Sequence, residues 1–486
     1  MYAIQLNLMK IPATRQPVLG NVFVNYGGPG DDPLVSFASP VDLQQTVGEQ
    51  YNLIAIEPRG VGDTIAFDCA DTPVRLPTAD PSIQGRNQSD LNDIDWHVAT
   101  TFADQCHHHE KDTGDFVGTM FVARDMLRVL DASGGDGFLR YVGYSYGTVI
   151  GATFAAMFPE RVERMMLDGV DNVHQYYRST TVEQYIDTDK ALGDFCHHCA
   201  AHPSKCDFAG GRSATKLMKA IRDMVGYIQL SPVQIQHEDG TEDWLNDEMF
   251  RTSIFHALYN PMSSWWDLGR FLYQIENFNK VPADLSDFIV SPFLGPFDQH
   301  LVGIACGDDA LRSDDLAYMQ KRLKQDNGLS ILTAGLPDKK FLCAQWLFQA
   351  RERPALDFFD DVETANPILF VSSKHDPITP LVSARNVTKA FPGSRLLVQN
   401  SVGHTASSIP SNCTTSHLQQ YFANGTLPKK HTICQPNDPA FKAVWHPRRK
   451  IWRYILTAAG VGLLVSGAVW AINRLWRGRT KSIEAQ

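Results

Sequence analysis

The chain has 486 residues, 43% of them apolar and 20% charged, the ordinary balance of a globular protein able to bury a large core. Its length exceeds one minimal domain and falls short of three. A net charge of −10 excludes a general electrostatic attraction to nucleic acid.

At the N-terminus, Tyr2, Ile4, Leu6 and Leu8 alternate with Ala3, Gln5, Asn7 and Met9, which predicts a strand. No basic segment followed by a sustained apolar run is present there, so no signal peptide is recognisable. The chain reads as starting inside a folded domain, with a leader and a first strand missing. From Gly20 to Val170 the pattern cycles through strand, glycine-rich turn and helix. Strands are predicted at Asn21–Tyr26, Asn52–Glu57, Leu139–Tyr144 and Arg164–Asp168, and helices at Phe121–Leu130 and Thr148–Phe158. The strand runs are short and almost continuously apolar, as in central parallel strands covered on both faces. The pattern therefore predicts a doubly covered α/β fold, a mostly parallel sheet with helices on both sides.

After Val170 helical periodicity takes over, and the α/β rhythm returns with a strand at Pro367–Ser372, a helix at Leu381–Phe391 and a strand at Arg395–Gln399. The implied division is a first core segment at 1–170, a mainly helical lid or cap at 171–365 and a C-terminal core segment at 366–436. A linker at 437–451, a transmembrane helix at 452–473 and a basic tail at 474–486 come after it. Tyr454 to Ile472 carry no charge and are long enough to cross a bilayer, with Trp452, Trp470 and Trp476 at the flanks. Ala458, Gly462 and Ser466 form a small-residue stripe that permits helix-mediated self-association.

The nine cysteines and four glycosylation sequons, at Asn87, Asn386, Asn412 and Asn424, together favour an oxidising, secretory environment. Cys196-His197-His198-Cys199 and His107-His108-His109 look like zinc ligands, but no second CxxC or HxxxH completes a four-ligand set. No metal and no cofactor is expected.

Gly143-Tyr144-Ser145-Tyr146-Gly147 matches GxSxG and falls between a predicted strand and a predicted helix, the context a nucleophile elbow requires. A serine hydroxyl needs a base to become nucleophilic. In this fold the order is Ser, acid, His, each partner following a late strand. Asp376 follows the first such strand and His404 the second, making Asp376 the orienting carboxylate and His404 the general base. His375 is the neighbouring rival, read as an ordinary loop residue, and Asp168 is a fallback acid. Tyr26-Gly27-Gly28-Pro29-Gly30 follows the first clear strand. The backbone N–H groups of Gly28 and Tyr146 are the expected oxyanion hole.

These segments, with Glu57-Pro58-Arg59-Gly60-Val61-Gly62, resemble the proline-iminopeptidase and tripeptidyl-aminopeptidase group of α/β-hydrolase serine peptidases. Cys306-Gly307-Asp308, Cys343-Ala344-Gln345-Trp346 and the stretch Asn366–Cys434 are closer to the secreted tripeptidyl-aminopeptidase-like branch, and the resemblance runs from Gly20 to Cys434. A departure is Asp31-Asp32-Pro33, where the family usually has Gly-Ser-Gly. The resemblance implies disulfides Cys69–Cys106, Cys306–Cys343, Cys413–Cys434 and Cys199–Cys206, leaving Cys196 free. It also implies an exopeptidase that docks the free N-terminus of a peptide substrate. Asp308 and Asp309 are available for that amine, with surface or lid salt bridges as their plainer use. An esterase or lipase of small esters would share every catalytic residue, and an inactive membrane-anchored binding protein is the reading from a different class. The sequons and cysteines place the catalytic domain in the lumen or outside the cell on a single-pass anchor; the missing signal peptide would instead give a cytosolic, tail-anchored enzyme.

Overall fold

A computed structural model describes residues 4–442 apart from 38–40, 66, 68, 70–73, 76–87, 181, 291–292, 295, 327–328, 334–338, 356 and 439. The main sheet is built from β1 (Leu8–Ile11), β2 (Gly20–Asn25), β3 (Tyr51–Ile56), β4 (Leu139–Tyr144), β5 (Val162–Asp168), β6 (Leu369–His375), β7 (Arg395–Val402) and β8 (Ile433–Cys434). Their order in space is β1-β3-β2-β4-β5-β6-β7-β8, with only the β1–β3 pair antiparallel. Every residue of β3 is buried, which is why its sequence is so nearly unbroken in apolar character.

The helices that frame the site are α1 (Gln88–His109), α2 (Thr119–Ala132), α3 (Tyr146–Met157), α4 (Thr188–Ala201), α5 (Asp247–Ala257), α6 (Leu381–Ala390) and α7 (Asn412–Asn424). α2 packs on α3, and α3 on β4. Apolar side chains on this side, Tyr141, Val149, Ile150, Phe154 and Leu167 among them, are sealed in one cluster, while Val22, Leu53, Val142 and Leu369 belong to the cluster on the other side of the sheet. Two-faced burial of this kind is what a parallel sheet demands.

The N-terminal strand lies later than its alternation predicts, at Leu8–Ile11. Asn7 is tied to the loop after β3 instead: its side chain donates to Glu57 Oε2 at 3.0 Å and its carbonyl accepts from Glu57 N at 2.9 Å. Pro12 then ends the strand, since it has no N–H to offer a ladder.

Between β5 and β6 the chain leaves the sheet. This insertion contains α4, α5 and the helices Ala214–Leu230 and Pro261–Phe278, together with a three-stranded sheet of Val233–Gln236, Glu242–Leu245 and Lys280–Val281. Sequence periodicity predicts helix almost throughout this region. The strands are hidden from it because they are short and because Trp244 on one of them is exposed rather than inward. Leu192, Phe195, Ile221, Phe250, Trp265 and Phe271 give the insertion its own apolar core.

Four disulfides have the pairing that the resemblance implies: Cys69–Cys106, Cys199–Cys206, Cys306–Cys343 and Cys413–Cys434. Cys196 is free and buried, its thiol pushed up to about 12 by burial, so it is not poised to be a thiolate. Because Cys199 is bonded to Cys206, the Cys-His-His-Cys string is not a zinc half-site in this fold. The predicted transmembrane helix, its linker beyond 442 and the basic tail lie outside the described residues, as does Asn87. Among the described residues no helix is long and apolar enough to cross a membrane.

Candidate active site

Ser145 joins the end of β4 to the start of α3 with φ 54° and ψ −126°, a backbone conformation rare for a residue with a side chain. Neighbouring bonds hold it there. Ser145 N donates to Asp168 O at 3.1 Å, and its carbonyl accepts from Thr148 N at 2.7 Å and Thr148 Oγ1 at 2.6 Å. The flanking glycine is needed for space: a Cβ on Gly143 would sit 2.4 Å from the carbonyl oxygen of Gly147. The sharp strand-to-helix turn expected from GxSxG is therefore present, with a half-buried serine at its apex and the N-terminus of α3 behind it.

Asp376 leaves the end of β6 and is completely buried. Its carboxylate accepts from Ile378 N at 3.0 Å, Thr379 N at 2.9 Å, Thr379 Oγ1 at 2.8 Å and Thr405 N at 2.8 Å. Both of its oxygens lie 3.1 Å from His404 Nδ1. Burial opposes ionisation of Asp376, yet His404 and these hydrogen bonds hold its pKa below the usual carboxylate range. Burial likewise opposes protonation of His404, but Asp376, helped by Asp168 and Asp171, sets its pKa above the ordinary imidazole value. The pair is thus suited to hold a histidine that takes up a proton.

Asp168, the fallback acid, is the carboxylate that does not orient His404. It accepts from Ala406 N at 2.9 and 3.1 Å, and burial pushes its pKa up to about 6. The histidine ring nevertheless lies beside the elbow. Gly169 follows the residue whose carbonyl holds Ser145 N, and a Cβ added there would be 3.4 Å from His404 Cε1. No hydrogen bond between Ser145 Oγ and His404 Nε2 is among those of the described residues; such contacts commonly tighten only when substrate is bound.

The Gly27–Gly30 loop passes directly over the serine. Gly27 has φ 119°, and a Cβ there would be 2.8 Å from Ser145 Cβ and 3.3 Å from Tyr146 N. Its own N–H is occupied by Asn25 Oδ1 at 2.9 Å, which fixes the loop at the end of β2. Of the two residues predicted to supply oxyanion N–H groups, Tyr146 has its N–H beside this turn, and Gly28 is the residue that follows Gly27 in it.

Other sequence expectations change on folding. Asp308 and Asp309 are buried, at 1% and 6% exposure, so neither is a surface ion-pair residue. Asp308 accepts from Thr119 N at 2.8 Å, from Thr119 Oγ1 and from Tyr176 OH at 2.9 Å, and Thr119 Oγ1 in turn lies 2.6 Å from Tyr146 OH. Burial pushes Asp308 up to about 6. The carboxyl thus anchors the side chain next to the nucleophile from behind. Arg59 of the Glu-Pro-Arg-Gly segment holds Asp125 of α2 through two bonds of 2.5 and 2.8 Å, a scaffold role. His375, expected to be an idle loop residue, has Nδ1 2.6 Å from Asp194 Oδ2 of α4. Tyr259, in the insertion, has no counterpart among the sequence expectations. Its carbonyl accepts from His404 N at 2.9 Å and its ring meets the imidazole edge-on at 4.8 Å.

Two family models match, one described as alpha/beta hydrolase fold over residues 20–191 and one described as TAP-like protein over residues 334–434. The chain is an α/β hydrolase with a TAP-like C-terminal segment. This hydrolase is 23% identical over 458 residues to a tripeptidyl aminopeptidase of Streptomyces lividans, a match covering 87% of the chain and 78% of that protein. It is 25% identical over 450 residues to serine protease Hip1 of Mycobacterium bovis, covering 88% and 83%. It is also 27% identical over 460 residues to carboxylesterase B of Mycobacterium tuberculosis, covering 89% and 83%.

Proposed function

We propose that the hydrolase is a serine exopeptidase that releases residues or short peptides from peptide N-termini through an acyl-enzyme on Ser145. The observation that carries this is the buried Asp376–His404 pair set beside the strained elbow, beneath the Gly27–Gly28 turn. In the proposed reaction His404 takes the Ser145 proton as the hydroxyl attacks the scissile carbonyl, and then gives it to the departing amine. Asp376 keeps Nδ1 protonated and stabilises the imidazolium. The N–H groups of Gly28 and Tyr146 receive the developing oxyanion. A water activated by the same histidine then releases the acyl group.

An N-terminal ammonium needs a negative partner once it is out of water. Asp171 is the carboxylate considered for that role: it lines a small polar cleft with Asn172, Tyr176, Asp309 and Lys340, and its charge acts on His404. The insertion would be the lid over this end, since Tyr259 reaches His404 from it. Fluorogenic tripeptides with a free amine should be turned over at least about tenfold faster than their N-acetylated forms, one unit of log rate being about 1.4 kcal/mol. Equal rates on both, or turnover of simple esters alone, would favour the second reading, an esterase, which the likeness to carboxylesterase B supports.

For location, the reading is a luminal or extracellular catalytic domain on a C-terminal single-pass anchor. It is supported by four disulfides and by the exposure of Asn412 and Asn424. Asn386 suits a glycan less, because its amide is held by the Glu183 carboxylate. Glycosidase treatment of the native protein should increase its gel mobility; no change, with reduced thiols throughout, would favour the cytosolic tail-anchored alternative.

A further inference from the structure

Asp376 is only as well placed as the loop that carries it, and that loop is held from outside the sheet. The β6–β7 ladder loses its regular register between Ser373 and His375, so the backbone is redirected just before the acid. Its last bond runs from Gly403 N to His375 O at 3.2 Å, which links the residue before Asp376 to the residue before His404. The side chain of the same His375 reaches Asp194 of α4 at 2.6 Å. On the other side of Asp376, the Pro377 carbonyl accepts from Thr188 Oγ1 at 2.7 Å, and Thr188 is the first residue of α4 and fully buried. The two contacts are six residues apart on the helix, about 9 Å along its axis. They bracket the acid.

We propose that α4 of the insertion is a positioning element for the catalytic pair, acting through Asp194–His375 and Thr188–Pro377 to fix the loop that bears Asp376. The proposal rests on the reading of Asp376 as the triad acid. It makes the insertion part of the catalytic frame as well as a cover for substrate. The physical case turns on relative magnitudes. Asp194 and His375 have side chains 31% and 23% exposed, so their contact contributes little to stability. Catalytic geometry is far less forgiving, because displacement by about 1 Å can cost roughly 100-fold in rate. A contact worth little to the fold can therefore be worth much to turnover.

The test uses the full chain and a small fluorophosphonate, which reports activation of Ser145 without needing the substrate cleft. Asp194→Ala and His375→Ala should each slow inactivation and reduce kcat by roughly tenfold or more, with KM changed by less than about twofold. The double variant should be no slower than the worse single one. His375→Asn keeps a side-chain N–H donor near the position of Nδ1 and should recover most of the rate. Wild-type inactivation rates in both alanine variants, or a loss confined to KM, would overturn the proposal. Asp376→Ala measured alongside separates two failures. If it also reacts at the wild-type rate, the triad assignment is wrong; if it alone is slow, only the bracket is. Because the Asp194–His375 pair is partly exposed, these variants should fold even if Thr188→Val, at a buried site, does not.

Discussion

Asp376→Ala and His404→Ala should each lower turnover by roughly 10⁴-fold or more, and the double variant should be little worse than His404→Ala alone. That factor corresponds to about 5.5 kcal/mol of lost transition-state stabilisation. Without His404 nothing removes the Ser145 proton, so the orientation that Asp376 supplies has nothing left to act on. Without Asp376 the imidazole loses the partner 3.1 Å from Nδ1 that fixes its tautomer and raises its pKa. The carboxylate also accepts from Thr405 N, so its removal frees the turn that carries the histidine. Steady-state rates on a fluorogenic peptide check this; losses that multiplied across the double variant would show two independent contributions.

Local and order-dependent features were legible in the sequence. β4 lies at Leu139–Tyr144 as predicted because an apolar run closed by a glycine-flanked serine leaves little freedom in where a buried strand ends. The pairing of Asp376 with His404 was legible from chain order because each residue follows a late strand of the sheet. The order of the sheet, with β3 between β1 and β2, was not legible, since periodicity reports which residues are buried and not which strand lies beside which.

Long-range side-chain partnerships were out of reach for the same reason. Asp194 and His375 are 181 residues apart, and although His375 stands out beside Asp376, nothing in the sequence pairs it with Asp194. Asp308 looked like half of an acidic surface pair because Gly-Asp-Asp-Ala carries no hint of burial; only packing against Thr119 and Tyr176 reveals a carboxyl sealed behind the elbow. Tyr259 is one tyrosine among many until its ring is placed against His404. The glycine-rich turn is the intermediate case. Its identity implied a close backbone approach, but the thing approached, Ser145 Cβ at 2.8 Å from an added Cβ on Gly27, is a tertiary fact.

Covalent capture of Ser145 bears most directly on the whole account. A hydroxyl at an ordinary surface reacts with a fluorophosphonate negligibly, whereas one whose proton is taken by a positioned base reacts quickly. The serine is half-buried, and the bonds that hold its turn run through its own N–H and carbonyl and not through its hydroxyl, so alanine there should leave the fold intact. The native protein, treated with the probe and mapped by mass spectrometry, should carry one adduct on the peptide containing Tyr144-Ser145-Tyr146, and Ser145→Ala should carry none while keeping its thermal transition. An adduct of equal yield on the alanine variant, or one mapped to another serine, would contradict the assignment of Ser145 as the nucleophile.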